Sequence, residues 1–245
     1  MGITYNLETA LNNVDNWNIR YWIGLGLIGV CFYCYYWFSI RQGRKDKASG
    51  MPWQTNMYNF ANDFVYIIGF SSWFSKSSPT HHWITMVLWV GLVIWWGMEL
   101  IVHYQAIKYD LMTEIFPHAQ SKRNAILMYI GVQICFIAGY WYLWTVMDDP
   151  LVWIMFGTTV TNCMIFNFTF LQKRGSTRGM HPIIPYALTV AMFATYIMWL
   201  PGADPVMGNF QTYFMGVCVI GLGVALILYY RRLPKYEAPA VASEK

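Results

Sequence analysis

Apolar residues gather in seven stretches, 20–40, 57–75, 83–105, 123–146, 151–172, 182–200 and 210–230. Each approaches the roughly 20 predominantly apolar residues a helix needs to cross a bilayer. Turn formers separate them: Ser77-Ser78-Pro79, Asp148-Asp149-Pro150 and Pro201-Gly202-Ala203-Asp204-Pro205. The pattern predicts an all-α integral membrane protein with seven transmembrane helices. No internal repeat or second domain interrupts it. The expected organisation is an N-terminal luminal segment over 1–19, a seven-helix domain over 20–232 and a cytosolic tail over 233–245. The second stretch is the most polar. It opens with YNFANDFVYIIGF, residues 58–70, and carries Asp63 about two turns in.

Composition agrees with lipid as the solvent. The chain is 57% hydrophobic and 11% charged, where soluble domains carry about 25% charged residues. Fourteen of the sixteen Lys and Arg residues fall after the first, third, fifth and seventh stretches: Arg41, Arg44, Lys45, Lys47; Lys108, Lys122, Arg123; Lys173, Arg174, Arg178; Arg231, Arg232, Lys235, Lys245. Basic loops stay cytosolic, so the N-terminus is expected outside or luminal and the C-terminus cytosolic. No basic tract interleaved with aromatics points to nucleic acid. The five cysteines are scattered, and Cys31 and Cys34 lie within an apolar stretch, as small core residues do. The first twenty residues lack a basic region followed by an apolar run, so no cleavable signal is expected.

Of twelve acidic residues, only Asp63 and Glu99 lie inside predicted spans. A carboxyl in hydrocarbon costs several kcal/mol, so intramembrane acids face the protein interior and mark function or an inter-helix bond. Each lies about 9 Å from the cytosolic end of its helix at 1.5 Å per residue, at matching depth on neighbouring antiparallel helices, so both could face one pocket open to the cytosolic half. Asn59, Asp63 and Tyr66 share a helical face and Asn62 adjoins them. Amides and a phenol can hydrogen-bond a neutral carboxyl and aim its proton, and low dielectric favours that neutral form. Glu99 has a structural alternative in His103, four residues on. Trp95 and Trp96 precede Glu99 by four and three residues, and Tyr129 lies in the fourth stretch. Such rings either form an interfacial belt or line a pocket that stabilises a carbocation. Asn162 and Asn167 in the fifth stretch either bond a neighbouring helix or reach the same pocket. Asp63 and Glu99 are therefore the candidate catalytic pair. Asn59, Asn62, Tyr66, Trp95, Trp96, His103, Tyr129, Asn162 and Asn167 are the candidate substrate contacts. No converging set of ligands calls for a metal, and no cofactor is expected. A rival reading is a seven-helix transporter or ligand-binding protein with Asp63 and Glu99 as a proton or cation site.

YNFANDFVY resembles the N-[FI]-A-W-E-F-V-Y stretch opening helix two of small membrane-bound terpene cyclases of fungal meroterpenoid and indole-diterpene pathways, typified by the paxilline-pathway cyclase, with bacterial relatives. Asn59, Ala61, Val65 and Tyr66 match, Asp63 replaces Glu, and Asn62 replaces Trp. FLQKRGSTRGM, residues 170–180, resembles the family's L-x-x-R-G-x-x-R-G-Q-S loop. The resemblance implies a cofactor-independent cyclase that protonates the terminal epoxide or alkene of a prenylated small molecule, with Asp63 as the acid. It further implies a multi-pass protein of the endoplasmic reticulum, if fungal, or of the plasma membrane, if bacterial, in contact with membrane lipid. The family's second acid, in helix seven, is replaced by Gly223 in LGVAL. Glu99 is the candidate for that missing carboxylate. Arg174 and Arg178 either bind an anionic group or anchor at phospholipid headgroups, and anchoring is the expected role. Oligomeric state is not legible.

Overall fold

The computed structural model describes residues 5–237. Its regular structure is helical throughout: α1 Leu7–Asp15, α2 Ile19–Asp46, α3 Trp53–Ile68, α4 Phe70–Phe74, α5 Trp83–Gln105, α6 Lys122–Met147, α7 Trp153–Arg174, α8 Ile183–Phe193, α9 Leu200–Ala203 and α10 Phe210–Arg232. Two π-helical segments extend neighbouring helices, Ala106–Ile115 beyond α5 and Ala194–Trp199 between α8 and α9. Polar side chains fix several starts. Asn18 accepts from the Arg20 and Tyr21 N–H groups before α2, Ser121 from Asn124 before α6, and Asn209 from Thr212 before α10, each satisfying donors that a helix start leaves open.

Six helical stretches are long and apolar enough to cross a membrane: Ile19–Asp46, Trp83–Ile115, Lys122–Met147, Trp153–Arg174, Ile183–Ala203 and Phe210–Arg232. The predicted stretch 57–75 takes another form. Its helix begins earlier, at Trp53, ends at Ile68, and restarts after Gly69 as the five-residue α4. The 16 residues of α3 span about 24 Å, less than the roughly 30 Å of a hydrocarbon core. α3 packs against α5, α6 and α7, and its polar side chains Thr55, Asn56, Asn59, Asn62 and Asp63 are all buried. The third stretch runs on to Ile115 rather than ending at 105, because Asp110 and Glu114, one turn apart, are tied to arginines from the α7 end.

Loop contacts define two ends of the bundle. At one, Arg178 donates to the Lys47 carbonyl at 2.9 Å, Lys173 to the Glu114 carbonyl at 2.7 Å, and the Thr177 N–H to the Pro234 carbonyl at 3.1 Å. At the other, the Tyr5 hydroxyl donates to Asp149 at 2.8 Å, the Asn6 N–H to Asp204 at 2.8 Å, and His82 meets Asp15 at 3.2 Å. The first end gathers the basic loops; the second holds α1. Between them α2 lies close against the 194–203 segment. A Cβ on Gly24 would come within 2.7 Å of the Trp199 nitrogen, and one on Gly202 within 2.7 Å of the Tyr21 nitrogen. Small residues permit this backbone approach, as in other membrane helix pairs.

Candidate functional site

The buried face of α3 carries two hydrogen-bond networks. In the first, the Asn62 amide donates to Asp63 Oδ1 at 2.7 Å, the Tyr140 hydroxyl donates to Asn62 Oδ1, and Thr159 Oγ1 lies 3.1 Å from Tyr140. In the second, the Tyr36 hydroxyl donates to Glu99 Oε1 at 2.5 Å and accepts from the Asn59 amide at 2.9 Å, while the Cys163 thiol donates to Asn59 Oδ1 at 3.3 Å. Asp63 is 4% exposed and Glu99 0%. Their free oxygens differ. Glu99 Oε2 is sealed without a partner. Asp63 Oδ2 has no hydrogen bond among the described residues and is not among the sealed atoms, so it keeps what surface Asp63 retains. No ion pair within 4.0 Å engages either carboxyl among the described residues.

A cavity of about 260 Å³ lies beside Asn62, between α2, α3, α5 and the start of α7, with Trp199 at its back. Aromatic rings dominate the wall: Trp22, Tyr33, Tyr66, Trp83, Trp95, Trp153, Phe156 and Trp199. Phe156 and Trp153 meet Trp199 at 85° and 52°, while Trp95 stacks on Phe156 at 15°. The polar side chains on the wall, apart from indole N–H groups, are Asn62, Tyr33 and Tyr66. This cavity lies toward the α1 end, marked by Trp22, Trp83 and the Leu151–Trp153 turn, and neither Asp63 nor Glu99 is among its lining residues, so the two acids do not face one pocket in the basic half as expected. In the basic half a second cavity of about 250 Å³ lies by Met51, Trp53, Asp110 and Glu114, but neither Asp63 nor Glu99 lines it; the Glu99–Tyr36–Asn59 network closes the bundle between the two.

Of the candidate contacts, Asn62, Tyr66 and Trp95 line the cavity. Tyr66 does not hold Asp63: its hydroxyl donates to the Thr85 carbonyl at 3.4 Å and its ring stacks on Trp73 at 4.4 Å. Asn59 serves Tyr36 instead of Asp63. Trp96 sits with Phe60 at 5.3 Å and Phe64 at 6.3 Å, away from the cavity. His103 turns from Glu99 to the Tyr129 hydroxyl, 2.7 Å away, and Tyr129 packs by Trp53. Asn167 is buried, donating to the Tyr35 hydroxyl and the Cys163 carbonyl, both at 2.7 Å. Asn162 is half-buried and makes no side-chain hydrogen bond among the described residues. Sequence reasoning missed Tyr33, Tyr36, Tyr140, Phe156 and Trp199. The run CFYCYYWF, residues 31–38, held a signal for the first two: three residues apart, they reach the same neighbouring helix.

Two further expectations change. The Arg174 side chain is 4% exposed and bonded to Asp110 at 2.8 Å and Glu114 at 2.8 Å, with its guanidinium 3.9 Å over Phe170. It therefore clamps loops inside the protein and does not reach out to headgroups. Arg178, 30% exposed, shares Glu114 at 3.1 Å. At Gly223 a Cβ would fall 2.6 Å from Thr189 Oγ1 and 3.0 Å from Met164, so the missing helix-seven carboxylate leaves no vacant space.

The profile of the Pyr4-like transmembrane terpene cyclases matches residues 12–200. The chain belongs to this family. It is an enzyme of the cyclase type and a multi-pass membrane protein. The match takes in every wall of the cavity and ends before α10, which carries Gly223. Among curated proteins and solved structures, none matches the chain.

Proposed function

We propose that this cyclase starts the ring closure of a prenylated small molecule by proton transfer from Asp63 into the aromatic cavity. The observation that carries the reading is the pairing of a buried, cation-free carboxyl with one unbonded, unsealed oxygen and an apolar aromatic cavity one residue away at Asn62. A carboxylate without a counter-ion is poorly tolerated away from water, so the acid keeps its proton until a base of the substrate takes it. Asn62, held by Tyr140, orients the carboxyl by donating to Oδ1. The proton adds to a terminal alkene carbon, or to an epoxide oxygen as its C–O bond breaks. The π pair of the next double bond then forms the new C–C bond. The rings of Trp95, Trp153 and Phe156 face the cation, each contact contributing about 0.5–2 kcal/mol. A proton leaves a carbon next to the final cation, and the Asp63 carboxylate is the nearest base to receive it. Glu99, sealed behind Tyr36, acts by holding α3 in register and not on the substrate.

The same reading gives the chain seven crossings. α3 runs from the basic end to the α1 end, and its interior position frees it from matching the lipid thickness. The basic end is then cytosolic and the cavity lies in the opposite half.

The test is incubation of membranes carrying the protein with farnesylated and geranylgeranylated aromatics and their terminal epoxides, followed by product analysis. Cyclised product is expected from the natural chain and not from Asp63→Asn. Equal product from both would remove Asp63 from the chemistry.

A further inference from the structure

We infer that the prenyl chain reaches the cavity sideways from the bilayer, through a slit between α2 and α5 that Tyr33 spans. The inference rests on the reading of this cavity as the reaction chamber. It adds where the substrate comes in and which residue decides what passes.

The cavity does not end inside the protein. Its wall includes Gly29 and Tyr33 from α2, and Val87 and Gly91 from α5. Val87 is 56% exposed and Tyr33 36%. Gly29 and Tyr33 lie near the middle of α2, and Val87 and Gly91 in the first half of α5, where the outer surface of both helices is apolar: Val30, Trp37, Val90 and Ile94 all face outward. The surroundings at that depth are acyl chains, so the opening joins one apolar phase to another. A prenyl chain crosses it without passing through water or shedding hydration.

Tyr33 crosses the slit. Its ring lies on Trp95, centroids 5.1 Å apart, and its hydroxyl donates to the Gly91 carbonyl at 3.4 Å. That bond is long, at the weak limit of hydrogen-bond geometry, so opening it costs little. Gly91 lies beside the hydroxyl, where even a Cβ would make only an ordinary contact at 3.9 Å. Across the slit, Gly29 leaves a gap, since a Cβ there meets nothing within 4 Å. The slit is bounded toward the α1 end by Trp22 stacked on Trp83 at 5.6 Å, with Trp83 donating to Asp15 at 2.9 Å. That corner pins the two helices together at one end of the slit, and the Tyr36–Glu99 bond joins them at the other. A polar head group, which the apolar wall cannot satisfy, remains outside the slit while the chain tail reaches Asn62, next to Asp63.

Val87→Cys tests this, in a background where the half-buried Cys34 and the exposed Cys135 and Cys218 are replaced by Ala. A bulky alkyl methanethiosulfonate is added from detergent or bilayer, attachment is confirmed by intact mass, and turnover is compared with unlabelled Val87→Cys. A loss of tenfold or more, reversed by a thiol reductant, is expected. The same label on Leu228→Cys, on the outer face of α10, is expected to leave turnover unchanged. Gly29→Cys repeats the test from the other wall if Val87→Cys folds poorly. Tyr33→Ala is expected to change KM several-fold more than kcat, and Tyr33→Phe to restore most of that change. Labelled protein that turns over normally overturns the lateral path, as does failure of the label to attach at both positions. An active Asp63→Asn overturns the chemistry instead, so the two failures are told apart.

Discussion

Two of the places where the molecule buries acids treat them in opposite ways. Near the basic end, Asp110 is 2% exposed, and it shares Arg174 with Glu114. In the middle of the bundle, Asp63 and Glu99 are as deeply buried, but their partners are an amide and a phenol, with no cation. A buried acid facing a guanidinium is held as an ion and has no proton to give. A buried acid facing neutral donors keeps its proton available. The first arrangement fastens loops; the second, at Asp63, is the one the proposed reaction uses. Neither burial nor the lack of a counter-ion singles out Asp63, since Glu99, Asp46, Asp149 and Asp204 are also buried without a cation among the described residues; what sets Asp63 apart is an unsealed, unbonded oxygen within the bundle.

The sharpest break of this comparison is Asp63→Asn. It keeps the shape and the Asn62 contact but removes the proton, so turnover is expected to fall by about 10²–10⁴-fold. Thermal unfolding in detergent is expected to stay close to that of the natural chain. A matching fall in melting temperature would make Asp63 a structural acid like Asp110. Arg174→Met makes the reverse cut. It strands Asp110 without its cation and is expected to cost about 3–5 kcal/mol of stability, read as lower folded yield and melting temperature. The protein that still folds is expected to keep its activity. Tyr36→Phe sharpens the contrast between the two central acids. It leaves Glu99 Oε1 without a donor, at about 1–3 kcal/mol, and is expected to lower stability more than it lowers turnover per folded molecule. A larger effect on turnover would bring Glu99 into the chemistry. The smallest effect belongs to Asp15, at the corner beside the slit. The Trp83 indole N–H, then His82, hold its carboxyl below the usual carboxylate range. A group depressed in the folded state stabilises above its unfolded pKa and loses that contribution as pH falls through the folded value. The difference in melting temperature between the natural chain and Asp15→Asn is thus expected to shrink on acidification from about pH 6 to about pH 3.

Much of this was written along the chain. Apolar length gave the helices, and Asp63 stood out because an acid inside YNFANDFVY has no cheap reason to be there. The second stretch was misjudged at its ends because Gly69 breaks it and because an interior helix need not match lipid thickness. The continuation to Ile115 was also available, since Ile107, Leu111 and Ile115 keep a four-residue spacing. Which helix Glu99 would face was not available: His103 lies one turn away along the chain, yet Tyr36, sixty-three residues distant, takes the carboxyl. The expectation for Arg174 failed likewise, because a basic loop reads the same whether its side chains turn outward or inward.

The sequence by itself determined the phase in which this protein lives, its all-helical build, its family, and the one acid most out of place. Those are properties of composition and of local spacing, which a linear chain carries explicitly. The tertiary structure alone decided which acid has an open oxygen, that the chamber lies toward the α1 end, and that Tyr33 faces Gly91 across a slit. These depend on helix rotation and tilt. Packing of distant side chains sets both, through contacts between residues that have no relation along the chain.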